Sequence, residues 1–226
     1  MYLDSYYLLL VVPTIILSLW AQIMVKSTFA KYSKIPCSRK ITGRDAADLL
    51  LQANRINNVR IEAVGGSLTD HYDPSSKVLR LSGPVHGNIS IAAVGVAAHE
   101  TGHAMQHAGA WGPLVLRSSL VPAANIGSSL GPWLAIAGVF LSFPLLINAG
   151  IILFGVAVLF YVVTLPVEFD ASARAIKLLK DNNILNNEEL KGVKKVLTAA
   201  ALTYVASALT AIMNLLRLIL MSRRRR

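Results

Sequence analysis

Long apolar runs alternate with a single long polar stretch along this chain, and the runs are long enough to cross a membrane. The first run, residues 3–25, exceeds the roughly 20 residues that a helix needs to span a bilayer. Basic residues follow this run rather than precede it, which favours an uncleaved anchor over a cleaved signal peptide. The same order predicts that the N-terminus lies outside and that the segment after the anchor is cytosolic.

The second apolar region, residues 114–166, carries one ionised side chain, Arg117. We predict two spans here, residues 120–143 and 149–165, joined by a connection at residues 144–148. Because two spans form a hairpin, both of its ends are expected on one side of the membrane. Small residues within the hairpin suit close contact between helices in lipid, and they include Gly127, Gly131 and Gly138.

The third apolar region, residues 196–221, ends in arginines at positions 223–226. Lysines precede it, so a complete span would place one of these two basic groups outside, against the positive-inside bias. The pattern therefore leaves open whether this helix spans the membrane or lies along or partly within it.

The polar stretch, residues 42–110, has the pattern of a small α+β domain. Apolar side chains recur at helical spacing over residues 44–54. Residues 59–64 and 77–82 alternate between apolar and polar side chains, which predicts two strands that form a hairpin or pack side by side. We expect the second strand, at residues 78–81, to be either a core strand or an edge to which a substrate peptide adds.

The rest of the polar stretch is predicted to form turns and one long helix. Asp and Pro within residues 68–74 indicate a turn, and residues 83–88 are interpreted as a loop. Either Asn88 or Ser90 is expected to cap a helix over residues 89–107. This helix is followed closely by a glycine, which commonly ends a helix.

Composition supports a membrane protein and argues against a nucleic-acid binder. Hydrophobic residues make up 54% of the 226 residues, charged residues only 15%, and the mean hydropathy is +0.53. The net charge of +10 lies in blocks beside the apolar runs, where it suits anionic lipid headgroups, and no nucleic-acid-binding motif accompanies it. The one cysteine, Cys37, excludes an internal disulfide and a cysteine-based zinc cluster.

The predicted long helix contains His99-Glu100-Thr101-Gly102-His103, an HExxH motif. Two histidines four residues apart lie one turn apart on one helix face, so both can bind one metal ion. Glu100, beside the first histidine, can act on a metal-bound water. The alternative is an alanine-rich core helix with surface histidines, but burying these polar groups without a metal is costly.

A catalytic zinc usually takes a third protein ligand, and the motif helix does not supply it. The extended pattern HExxHxxGxxH fails here, because Gln106 and Gly109 occupy the positions of its glycine and its last histidine. His107 lies roughly 80° around the helix from His99, so we place it outside the ligand set.

Glu168 is the predicted third ligand, because it follows the hairpin on the side of the membrane that the motif helix also occupies. The alternative for this residue is a carboxylate favoured near a helix N-terminus. Asp170 is expected to face away from Glu168, whereas Ser172 shares its face and can hydrogen-bond a ligand histidine. His71, in the predicted turn, is a further candidate for contact with substrate. The remaining downstream carboxylates lie in a segment predicted to be exposed: Asp181, Glu188 and Glu189.

The HExxH motif, the hairpin and residues 166–171 together resemble the YugP-like family of neutral zinc metallopeptidases, which are membrane gluzincins. Residues 68–74 and 78–82 add to the resemblance, which covers most of the chain. It implies one Zn²⁺ held by His99, His103 and Glu168, with Glu100 as general base. A more distant similarity is to HtpX- and Ste24-like proteases, which place Asp four residues after the ligand glutamate. This chain has Ser172 there, and its Asp170 is displaced by two positions.

These patterns predict a mainly α membrane protein with a small α+β zincin-like domain that contains the HExxH helix and a short sheet. The predicted segments are an N-terminal transmembrane anchor (1–25), a cytosolic zincin-like segment (26–110), a transmembrane hairpin (111–166), a third-ligand helix with a polar segment (167–195), and a C-terminal apolar helix with an arginine tail (196–226).

The predicted function is that of a membrane-bound zinc metallopeptidase of the cell membrane, with its active site on the cytosolic side. Its expected partners are the lipid bilayer and a peptide or membrane-protein substrate, and no nucleic acid. The alternative is a non-enzymatic membrane scaffold with a structural zinc site.

Overall fold

The computed structural model describes residues 5–223 and is mainly helical, with one small sheet. The helices are a π-helical turn Tyr7–Val11, α1 Val12–Tyr32, α2 Gly43–Ala53, α3 Gly83–His86, α4 Ile91–Ala108, α5 Gly112–Phe140, α6 Pro144–Asp181 and α7 Asn187–Arg223. The strands are β1 Arg60–Val64, β2 His71–Asp73 and β3 Val78–Ser82. The predicted class, a mainly helical protein with a short sheet, is therefore confirmed.

Four helical segments in the described part of the chain are long and apolar enough to cross a membrane: Tyr7–Tyr32, α5, α6 and α7. The predicted apolar regions are confirmed, although residues 3–4 of the first and arginines 224–226 lie outside the described residues. Their boundaries differ from the prediction. The last helix begins at Asn187, before residue 196, because the lysine-rich segment is itself helical.

The predicted connection at residues 144–148 is wrong, because α6 begins at Pro144 and only residues 141–143 join it to α5. Proline suits the first turn of a helix, where its missing N–H has no partner to lose. From Pro144 the helix continues without interruption through Pro166 to Asp181. The apolar second half of the hairpin and the helix that carries Glu168 are therefore one element.

The chain divides into two compact units. Unit 1 comprises Met1–Gln22, Pro113–Pro166 and Leu202–Arg226. Within it, α5 and α6 approach each other at glycines, as predicted: a Cβ on Gly127 would lie 2.1 Å from the Leu153 carbonyl oxygen. Gly131 and Gly138 meet the α6 backbone in the same way, at 2.8 and 2.6 Å. Any larger side chain at these positions would separate the two helices.

Unit 2 comprises Ile23–Gly112 and Val167–Ala201, and it contains the sheet. The strand order is β1-β3-β2, with β1 parallel and β2 antiparallel to β3. Of the two predicted arrangements of β1 and β3, the hairpin is wrong and the side-by-side packing is confirmed. The strand β3 is central and mostly buried, so the core strand predicted as one alternative at residues 78–81 is confirmed and the edge is wrong.

Residues 68–74 are more than the predicted turn, because they contain β2. This strand is short and polar, and side-chain contacts hold it to β3. The Asp73 carboxylate accepts a hydrogen bond from Arg80 at 3.1 Å, and Asp70 accepts from the backbone N–H of Ser82 at 2.7 Å. Hydrogen bonds from Ser76 and Arg80 hold the pKa of Asp73 well below its usual range, so this carboxylate stays charged. The true turn follows at residues 74–77.

The motif helix α4 begins at Ile91 and ends at Ala108, so its bounds differ slightly from the predicted 89–107, but its capping residues are among those predicted. The Ser90 hydroxyl accepts a hydrogen bond from the Ala93 N–H at 3.2 Å, which identifies Ser90 as the N-cap, and Gly109 is the C-cap. The segment before it contains the short helix α3, so residues 83–88 are not wholly a loop. Its proline lies in the first turn, where proline is favoured.

Small residues on α4 bring this helix directly against α6. A Cβ on Gly102 would lie 2.7 Å from the Ala171 carbonyl oxygen, so only glycine permits this approach. Around the contact, α4 shares a buried apolar core with α6 and α7, formed by residues that include Val94, Ala98, Leu179 and Val193. Gly102 belongs to the HExxH motif, so this contact fixes the motif directly against the part of α6 that follows Glu168.

Candidate metal centre

Three potential metal ligands converge in unit 2. His99 and His103 lie one turn apart on α4, and Glu168 lies on α6. One ligand atom from each residue lies within 4.8 Å of the others. The Glu168 Oε2 is 3.3 Å from His99 Nε2 and 3.6 Å from His103 Nε2. Two imidazole nitrogens and one carboxylate form a donor set that suits a divalent transition metal.

In both histidines Nε2 lies near Glu168, and the second ring nitrogen, Nδ1, contacts another side chain. The His103 Nδ1 lies 3.0 Å from Gln106 Oε1, which as an amide oxygen can only accept, so Nδ1 carries the proton. The Ser172 Oγ lies 3.2 Å from His99 Nδ1, the contact expected from its position one turn after Glu168. These contacts orient the rings so that Nε2 of each histidine faces the carboxylate.

Gln106 contacts a predicted ligand histidine, a role that was not predicted from the sequence. There, Gln106 stands out only as the residue that replaces the glycine of the extended HExxHxxGxxH pattern. It is fully buried, and its Nε2 donates hydrogen bonds to the Val167 carbonyl and to Asp170 Oδ2, both at 2.8 Å. One amide therefore ties His103 to the segment of α6 on both sides of Glu168. Its buried polar position three residues after His103, in an apolar helix, is the feature that could have identified it.

Asp170 contributes to this network through Gln106 and not through a histidine. Its carboxylate also accepts from Arg174 Nε at 2.5 Å, and the Arg174 guanidinium lies over the Trp111 ring. The expectation that Asp170 faces away from Glu168 agrees with these partners. A chain of contacts thus runs from His103 through Gln106 and Asp170 to the half-buried Arg174.

The electrostatics of the cluster favour a cation. Glu100 and Glu168 are both buried, with 7% and 3% of their surface exposed. Burial on its own would lower the pKa of His103, but the hydrogen bond to Glu168 and the charges of Glu100 and Glu168 raise it above the ordinary value. A metal ion and a proton compete for His103 Nε2, so we expect metal affinity to fall as the pH is lowered.

The other candidate residues lie elsewhere. His71 is exposed, and its Nδ1 lies 2.8 Å from the Thr69 carbonyl oxygen, so the structure does not bring it into the cluster. His107 Nδ1 lies 2.8 Å from the Tyr72 hydroxyl, and this histidine is also outside the cluster, as expected. The downstream carboxylates have other partners: Asp181 pairs with Lys177, Glu188 with Lys191, and Glu189 accepts from Ser38 and Asn186. Glu189 is buried, so its predicted exposure is wrong. At the start of α7 its carboxylate accepts from the Asn186 N–H, and its own N–H donates to the Asn186 side chain.

Comparison with known proteins gives the same family as the motif. Residues 7–223 match the family described as "Putative neutral zinc metallopeptidase". The chain is 47% identical over 214 residues to the "Putative membrane protease YugP" of Bacillus subtilis (strain 168), which covers 95% of each chain. No solved structure matches it. The relative and the four apolar helices identify a membrane protein. The chain therefore belongs to the "Putative neutral zinc metallopeptidase" family.

Proposed function

We propose that this protein is a zinc metallopeptidase of the cell membrane that hydrolyses peptide bonds, and that unit 2 is its zincin-like catalytic domain. The observation that carries the proposal is the convergence of His99, His103 and Glu168 within 4.8 Å, with the buried Glu100 next to the first histidine. Two histidines and one glutamate form the ligand set of a catalytic zinc that keeps one position open. Family membership supports zinc as the metal.

The protein groups have separate roles in this proposal. A bound zinc would polarise the scissile carbonyl and lower the pKa of a water molecule. Glu100 accepts the proton of that water and passes it to the leaving amine. Ser172 and Gln106 hold the two histidines in the orientation that directs Nε2 at the metal position.

We further propose a multi-pass protein whose site faces the cytosol. The support is the group of basic residues that follows the first apolar run, residues 3–25, since such groups are retained in the cytosol. Its members are Lys26, Lys31, Lys34, Arg39, Lys40 and Arg44. The substrates would then be peptides or membrane proteins close to the cytosolic membrane surface.

Removal of the metal tests the proposal. The purified protein in detergent is expected to hold one Zn²⁺ per chain and to cleave a pool of internally quenched peptides. A chelator should abolish cleavage and added Zn²⁺ should restore it, whereas Mg²⁺ should not, because the donor set suits zinc. Cleavage that persists without metal would contradict the proposal. A zinc-loaded protein that cleaves no peptide would favour the structural-zinc scaffold.

Replacement of Gln106 tests how the histidine is oriented. The substitution Gln106→Leu removes the acceptor of His103 Nδ1–H and leaves the Val167 carbonyl without this donor. We expect zinc affinity to fall by about 10–100-fold, as for other groups that hold a ligand histidine. Competition with a fluorescent zinc chelator measures the affinity. Gln52→Leu is the matched control, because Gln52 is an exposed helical glutamine whose side chain donates to Asp48. Equal losses in both variants would contradict the role of Gln106.

A further inference from the structure

A cavity of about 580 Å³ lies in unit 2 beside the C-terminal half of α4. None of the three proposed metal ligands lines it. Its polar lining consists of Arg55, Asn57, Asn58, Tyr72, Lys77 and His107, and the remaining lining residues are apolar. The proposed hydrolysis does not use any of these side chains, so the cavity needs an explanation of its own.

The charge of the cavity has one sign. Arg55 and Lys77 are both exposed, and no carboxylate lines the cavity with them. No ion pair joins either cation to an acidic side chain within residues 5–223. The two cations thus have the capacity to bind an anion that the protein itself does not supply.

The backbone at both cations is in the left-handed region. Arg55 has a φ of 57° and Lys77 a φ of 52°, a conformation that glycine or asparagine adopts at lower cost. The sequence therefore has long cationic side chains at two positions of this cavity where local stability alone would favour a smaller residue.

Tyr72 and His107 add a further hydrogen-bond donor. Burial, followed by the charge of Asp73, raises the pKa of Tyr72, so the phenol keeps its proton. Its hydroxyl lies 2.8 Å from His107 Nδ1 and can donate to it. A neutral His107 then carries its proton on Nε2 and is a donor as well. With the amide groups of Asn57 and Asn58, the cavity offers donors for several acceptor oxygens.

The position of the cavity connects it with the proposed active site. His107 follows His103 by one helical turn, which is about 6 Å along the axis. Two residues of an extended peptide span roughly the same distance. A peptide with its scissile bond at the metal position can therefore place a nearby residue in the cavity.

We propose that this cavity binds a carboxylate of the substrate peptide, within about two or three residues of the scissile bond. The carboxylate is that of an Asp or Glu side chain or of the peptide's C-terminus. The inference rests on the proposed peptidase function and specifies its substrate class, which is acidic peptides.

The test compares matched peptide pools on the zinc-loaded, full-length protein in detergent. In one pool of internally quenched octapeptides, each peptide contains one Glu, and this Glu occupies every randomised position across the pool. In the second pool, Gln replaces that Glu. Both pools are made with amidated and with free C-termini. We expect cleavage of the Glu pool to be on the order of tenfold faster, since hydrogen bonds to a charged group are the stronger ones. A preference for free over amidated C-termini would identify the terminal carboxylate as the bound group.

The double substitution Arg55→Asn with Lys77→Asn should remove this preference. Asparagine is neutral and tolerates the left-handed backbone, so the fold is expected to be unchanged. The Glu and Gln pools should then be cleaved at rates within about twofold of each other, because the charge-assisted bonds are lost. Lys40→Asn is the matched control: Lys40 is exposed, has a φ of 50° and lies outside the cavity.

A binding measurement separates this inference from the proposed hydrolysis. Fluorescence anisotropy of rhodamine-labelled Glu and Gln pools is followed on the Glu100→Gln protein, with and without the double substitution. If the unchanged, zinc-loaded protein cleaves no pool but the Glu pool binds preferentially through Arg55 and Lys77, the cavity assignment is supported and the peptidase proposal is contradicted. Equal binding of the two pools, or a preference that survives the double substitution, overturns the cavity assignment.

Discussion

Zinc-loaded Glu100→Gln protein is expected to cleave peptides about 10²–10⁴-fold more slowly than the unchanged protein, the contribution typical of a general base. It should hold the same amount of zinc, because Glu100 is not one of the three groups that converge on the metal position. Glutamine has nearly the same shape as glutamate and cannot accept the proton of the attacking water. Peptide cleavage rates and zinc content, measured on the same preparation, check both parts.

The matched control for this substitution is Glu188→Gln. Glu188 is exposed at the start of α7, where it pairs with Lys191. Glu188→Gln removes the same charge as Glu100→Gln but at a position outside the metal centre. The Glu188→Gln protein should therefore cleave peptides at the rate of the unchanged protein. If the Glu100→Gln protein cleaves peptides at the normal rate, Glu100 is not the general base and the proposed mechanism is wrong. A large loss of zinc in that variant would instead show that Glu100 is a ligand.

Glu168→Gln should lower zinc affinity more than Glu100→Gln does. A neutral amide is a poor zinc ligand, and the substitution removes the one carboxylate among the three predicted ligands. We expect the loss of zinc affinity to exceed the roughly 10–100-fold attributed to groups behind the ligands. Added zinc is expected to raise the melting temperature of the unchanged protein but not that of the Glu168→Gln variant, since a ligand stabilises only the state that binds it. Calorimetric titration and thermal unfolding with and without zinc measure the two effects.

Glu189→Gln separates loss of a ligand from loss of a buried carboxylate. Glu189 is also buried in unit 2, where it accepts hydrogen bonds from Ser38 and Asn186. Its replacement should lower the stability of the metal-free protein and leave zinc affinity intact. If the Glu168 and Glu100 variants bind zinc equally well, Glu168 is not the third ligand.

The helical part of the candidate site could be predicted from the sequence because it depends on spacing. The i, i+4 relation of His99 and His103 fixes their common face in any helix. The caps of α4 could be predicted for a similar reason, since Ser90 and Gly109 act on their own neighbourhood. The relation of Ser172 to Glu168 is again one helical turn. Each of these features is local, so a single sequence contains it.

The features that were missed depend on contacts between distant segments. The strand β2 has three polar residues, and it exists because Asp70 and Asp73 bond to residues of β3. The parallel pairing of β1 with β3 depends on the connection between them and not on their alternation. Gln106 could not be assigned a role because its partners, Val167 and Asp170, lie on α6. Periodicity reports which face of an element is buried but not what covers it.

The placement of Glu168 on α6 also has a consequence for biosynthesis. A ribosome completes the HExxH helix before it makes α5 and the first half of α6, so a nascent chain has both histidines well before it has the carboxylate. A product of interrupted translation that stops within the apolar hairpin would lack the proposed third ligand. Under the proposed function, a cell would therefore not release an active protease from an unfinished chain, and activity would begin only after both apolar helices had been made.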